Sequence, residues 1–118
     1  MPLILGGRAI FLNINTMFYK KLSQAGSQPS ATATATSLKN LIQTADSNIT
    51  DADLAGIEII ELNPEGDIRY LVGAEPTTAK GMALLSGQTR VLEGVHPKDL
   101  YLIASATTKV NIQLGYAS

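Results

Sequence analysis

The stretch from Ile57 to Val72, IEIIELNPEGDIRYLV, constrains the fold more than any other part of the chain. Aliphatic and β-branched residues lie on both sides of Asn63-Pro64-Glu65-Gly66, where Pro presets one backbone angle and Gly frees another, so the segment reads as strand, turn and strand. We take it as a β-hairpin. The same punctuation continues downstream. Gly73 and Pro76 break the chain before a strand at Gly81 to Leu85, and Ser86-Gly87-Gln88 turns it into Thr89 to Glu93. Gly94 to Pro97 is a loop, Leu100 to Ala104 a strand, Ser105 to Thr108 a turn, and Lys109 to Leu114 a last strand with Val110, Ile112 and Leu114 on one face. Short strands at this spacing predict an all-β fold, an antiparallel β-sandwich of six or seven strands, jelly-roll-like in form.

The first half is less regular. Arg8 to Leu22 partly alternates, with Ile10, Leu12 and Ile14 set against Phe11, Asn13 and Asn15, which suits a strand and leaves a helix open. Ser23 to Ser30, SQAGSQPS, is polar with Gly26 and Pro29 and reads as a linker. Residues 1–30 are therefore expected to form an extended N-terminal arm with its linker, and 31–118 the sandwich. Ala31 to Thr36, ATATAT, could be a tether, but alternating β-branched Thr favours an extended strand. Ser37 is placed to cap a short helix or turn carrying Leu38, Leu41 and Ile42, and a bulged strand is the alternative there.

A chain of 118 residues is sized for one domain, and 45% apolar content with 5% aromatic and no Trp makes its core aliphatic. A net charge of −1 gives no basic field for a phosphate backbone, so nucleic acid is not an expected partner; Lys20-Lys21, after Phe18-Tyr19, reads as a solvated end. With no cysteine there are no disulfides and no thiol chemistry. The apolar opening Met1 to Leu5 ends at Gly6-Gly7-Arg8, short of the roughly 20 residues that span a bilayer, and its first charge follows the apolar run, unlike a signal peptide. The expectation is a protein with no membrane partner, made in the cytoplasm.

Candidate chemistry is sparse. His96, the only histidine, precedes Pro97 in a predicted loop with Asp99 as its one nearby carboxylate, and no nucleophile converges on it. Asp46, Asp51 and Asp53 lack the spacing, the Gly and the closing Glu of a calcium loop and read as a solvated loop. The glycines form no phosphate-cradling pattern. No catalytic, cofactor or metal residue is assigned, and the chain is not expected to be an enzyme. Two groups stand out as partner-binding candidates. Leu3, Ile4, Leu5, Ile10, Phe11, Leu12, Met17 and Phe18 make the arm too apolar for a free tail. Arg69 and Tyr70, on opposite faces of one strand, are residue types favoured at interface centres.

From Leu38 to Tyr116 the order of features resembles small virion structural proteins of tailed bacteriophages, the head decoration or cement, head-fibre and neck proteins. The resemblance is carried by Gly56 to Gly94, GIEIIELNPEGDIRYLVGAEPTTAKGMALLSGQTRVLEG, above all Ile68 to Gly73, Pro76-Thr77 and Gly81 to Gly87, and by Asp99 to Ala104 and Val110 to Leu114. It covers about two-thirds of the chain and stops short of the first 30 residues. It implies a compact β-sandwich without catalysis, forming a homo-oligomer on the virion with the major capsid protein or another virion protein as partner. A capsid decoration protein is the function it favours. A neck, tail or adaptor component is the alternative, followed by a carbohydrate- or receptor-binding module, against which the lack of Trp counts.

Overall fold

The structure, a computed structural model, describes residues 28–116. In chain order it contains β1 (Ser30–Ala31), β2 (Thr36–Ser37), α1 (Leu38–Ala45), α2 (Asp51–Leu54) and β3 (Ile57–Pro64). Then follow β4 (Ile68–Val72), β5 (Met82–Leu84), β6 (Arg90–Glu93), a 3-10 turn (Pro97–Asp99), β7 (Leu100–Ile103) and β8 (Thr108–Tyr116). The strands form two antiparallel four-stranded sheets, a sandwich-like arrangement. The first has the order β1-β8-β3-β6 and the second β2-β7-β4-β5.

Alternation along each strand explains the shared core. In β3, Ile60, Leu62 and Pro64 are buried while Glu61 and Asn63 face outward; in β8, Val110, Ile112 and Leu114 are buried. They meet Leu84, Leu100, Leu102, Ile68 and Tyr70 of the second sheet in one aliphatic cluster. Helix α1 adds Leu38, Leu41 and Ile42 to it. Ser37 caps that helix, its hydroxyl accepting from the Asn40 amide at 3.2 Å.

The expected hairpin does not exist. β3 pairs with β8 and β6, whereas β4 pairs with β7 and β5, so the chain crosses from one sheet to the other between them. The turn is also shorter than expected, because Asn63 and Pro64 remain in β3 opposite Asn111 and Val110. Pro64 is tolerated there because the ladder with β6 ends at Leu62, so no β6 carbonyl needs an N–H from position 64. The arch is pinned to the β5–β6 turn: the Gly87 amide donates to the Pro64 carbonyl at 2.8 Å and the Ser86 hydroxyl to the Glu65 carbonyl at 2.8 Å.

Three further expectations change. ATATAT is not one strand, since β1 ends at Ala31 and β2 begins at Thr36. Threonine hydroxyls bend the chain between them, with Thr32 Oγ1 accepting from the Thr34 amide and Thr36 Oγ1 donating to the Thr34 carbonyl. Asp51 and Asp53 lie in the first turn of α2, where Asp53 and Thr50 form a reciprocal capping box. Finally, of the residues read as linker, Ser30 begins β1, and Gln28 and Pro29 just before it bond to β8. Pro29 is buried, its carbonyl accepts from the Val110 amide, and Gln28 Oε1 accepts from the Ile112 amide at 2.9 Å.

Candidate interaction surface

Strand β4 carries the two partner-binding candidates that fall among the described residues. Tyr70 is 5% exposed and points into the core, and Arg69 is half-buried on the outer face of the second sheet. The eight arm candidates, Leu3, Ile4, Leu5, Ile10, Phe11, Leu12, Met17 and Phe18, lie outside the described residues.

Arg69 sits in a cross-strand row with Ala83 of β5 and Ile103 of β7. Its Nε donates to the Thr78 carbonyl at 3.1 Å and its Nη1 to the Gly81 carbonyl at 2.9 Å. Both acceptors lie in the Gly73–Gly81 connection between β4 and β5, which is thereby held over the sheet. Pro76 is buried beneath it, and a two-residue bridge, Thr77 with Lys80, closes its tip. Gly81 has φ +131, and a Cβ there would lie 3.0 Å from Pro76 Cβ and 3.1 Å from the Tyr70 carbonyl, so only glycine fits the bend.

This strap borders a hollow of about 210 Å³ on the outer face. Ile103 and Ala104 form its floor, 6% and 2% exposed, and Leu85, 49% exposed, is one wall. Asp67, Arg69, Thr78 and Ser105 supply its polar rim. Asp67 is fixed by the Ser86 amide, which donates to Oδ1 at 2.9 Å. The spacing Asp67-x-Arg69 is a strand signature of two side chains on one face, readable from the sequence. Thr78 and Ser105 join them only through long-range pairing and left no local signal. A second hollow, about 420 Å³, lies at the β1 edge between α1 and β8, lined by Gln28, Thr44 and Lys109 among others.

His96 serves the fold. Its Nδ1 accepts from the Lys98 amide at 3.0 Å, which leaves Nε2 to donate to the Leu54 carbonyl at 3.0 Å and ties the 3-10 turn to α2. Among the described residues no group of three or more His, Cys, Asp or Glu is placed to hold a metal ion, and no helix is long and apolar enough to cross a membrane. Comparison with protein-family models, curated proteins and solved structures finds no match.

Proposed function

We propose that the chain is a non-enzymatic structural protein of a virion, a decoration or cement protein that binds the assembled head of a tailed phage, and that its fold is a jelly roll. One observation carries the proposal. Among the described residues, the order β1-β8-β3-β6 in one sheet and β2-β7-β4-β5 in the other leaves β4–β5 as the single connection between strands of the same sheet. Eight strands distributed in this way over two sheets fit the double-sheet jelly roll, an architecture of viral capsid and lectin domains. The resemblance of Leu38 to Tyr116 to phage virion proteins supports the first of these settings.

A decoration protein works by linkage. It binds the assembled shell and not the free subunits, so each bound copy shifts the equilibrium towards the shell. The arm supplies the contact: burying each large side chain among Leu3, Ile4, Leu5, Ile10, Phe11, Leu12, Met17 and Phe18 is worth roughly 1.5 to 3 kcal/mol.

The test is co-sedimentation of the purified protein with undecorated heads of the virus that encodes it, beside light scattering of the free protein. Binding to heads and not to free capsid subunits, with a trimer in solution, is the expected result. A hexamer or dodecamer that ignores heads and binds the portal assembly moves the protein to the neck. Serine at both Phe11 and Phe18 is expected to abolish head binding while leaving the thermal melt unchanged; unchanged binding with a much lower melt overturns the role of the arm.

A further inference from the structure

We infer that the hollow on the outer face of the second sheet, between Asp67, Arg69, Thr78 and Ser105, is a binding site for one ring of a neutral saccharide. Three features of the hollow lead there. The first is a fixed cation. Arg69 has five N–H donors, of which two are held by the Thr78 and Gly81 carbonyls, so the guanidinium is oriented by neutral acceptors and no carboxylate of a described residue forms an ion pair with it. The second is a fixed anion on the same rim. Asp67 lies two residues before Arg69 and lines the same hollow, and its Oδ1 is anchored by the Ser86 amide while no other described residue donates a hydrogen bond to its carboxylate.

The third feature is the floor. Ile103 and Ala104 are nearly fully covered, so the apolar surface open to a ligand is that of Ala83 and Leu85, both exposed, and the hydroxyl-bearing Thr78 and Ser105 complete the rim. An apolar base under a ring of mixed donors and acceptors suits a molecule that has a C–H face and an edge of hydroxyls. Hydroxyl groups satisfy both rim charges at once, since they donate to the carboxylate and accept from the guanidinium. A free carboxylate or phosphate would gain Arg69 but meet the charge of Asp67, and an amine would meet the reverse. A volume of about 210 Å³ falls below the roughly 300 Å³ at which pockets for drug-sized ligands begin, so the site takes one ring and not an extended chain. Capsid attachment is not required for this chemistry. A head-bound copy would simply carry the hollow with it.

The experiment is an amide chemical-shift titration of the full-length ¹⁵N-labelled protein with the methyl glycosides of glucose, galactose and mannose and with N-acetylglucosamine, each taken to high millimolar concentration. At least one glycoside is expected to shift the amides of Arg69, Ala83, Ile103 and Ser105 saturably, with a millimolar dissociation constant in keeping with a single small ring. Ala83 is exposed, so Ala83→Glu obstructs the hollow without touching the core, and it is expected to abolish those shifts while leaving the rest of the spectrum in place. Asp67→Asn keeps the acceptor for Ser86 and is expected to weaken binding several-fold. The inference is overturned if no glycoside in the panel shifts these amides, if Ala83→Glu leaves the shifts unchanged, or if sodium acetate reproduces them while the glycosides do not, which would make the hollow an anion site.

Discussion

The hydroxyl of Tyr70 lies 2.7 Å from Nη1 of Arg90, and the two residues belong to opposite sheets. Arg90 pairs with Leu62 on the core side of β6, and its guanidinium also stands 5.8 Å from the centre of the Tyr70 ring. A cation therefore closes the flank of the sandwich where β5 and β6 are edge strands, with the aromatic face and the phenol oxygen of a single residue as its partner.

Tyr70→Phe keeps the ring and removes the acceptor. We expect a loss of about 0.5–1.5 kcal/mol, the ordinary net worth of one hydrogen bond. Arg90→Met should cost a similar amount, and the double variant less than the sum, because the two share one interaction. Urea melts of the four proteins in a double-mutant cycle give the coupling directly; strict additivity would show that the contact contributes nothing to stability.

Arg69→Met removes both donors that hold the Gly73–Gly81 strap. The strap should then open locally without global unfolding, because Leu84, Leu102 and Tyr70 beneath the sheet are untouched. Trypsin reports this at Lys80, near the tip: cleavage after Lys80 is expected to accelerate severalfold while the thermal midpoint moves by only a few degrees.

Glycine is required to different degrees at the two ends of that strap. Gly73 has φ +78 with open space around its Cβ position, so Gly73→Ala is expected to cost about 1 kcal/mol from left-handed backbone strain alone. Gly81→Ala adds a collision with Pro76 and the Tyr70 carbonyl to an unfavourable φ and is expected to cost at least twice as much. Thermal melts of the two variants, run side by side, test the order.

The side-chain hydrogen bond from Gln43, at 2.7 Å, together with Lys39 at 3.3 Å, holds the Asp51 carboxyl below its ordinary value of 3.8. A carboxylate whose pKa is lower folded than unfolded adds stability that is complete above the unfolded value and is lost as the pH falls through the folded one. A carboxyl-detected titration should place the Asp51 midpoint below 3.8, and both Gln43→Ala and Lys39→Met should raise it towards that value. A wild-type midpoint at or above 3.8 would contradict the contact.

From β3 onward the strands were legible in the sequence and their partners were not. Alternation marks which residues of β3 and β8 are buried, and Ser37 announced α1 through its capping chemistry. Nothing in Asn63-Pro64-Glu65-Gly66 distinguishes a chain that turns back beside itself from one that crosses to the facing sheet, since both need the same flexible turn. The difference is decided by Val110 and Arg90, which occupy the two sides of β3 and lie far along the chain. For the same reason the Asp67–Arg69 pair could be seen in advance, while the floor and rim that Ile103 and Ser105 add to it could not.

Because six of the seven steps from strand to strand among the described residues change sheet, almost every ladder joins segments that are made at different times. Ser30 pairs with Lys109 and Ile57 with Tyr116. Topologies dominated by such distant pairings fold in milliseconds to seconds, far more slowly than helical bundles of similar size. On a ribosome adding roughly 5–20 residues per second, β1 and β3 must wait for β8 before their shared ladder can close. Throughout that interval Ile60 and Leu62 belong to a strand with no partner on that side. A nascent chain stalled before Thr108 should therefore be held by chaperones and cut readily by proteases, whereas one extended past Tyr116 and clear of the exit tunnel should resist both.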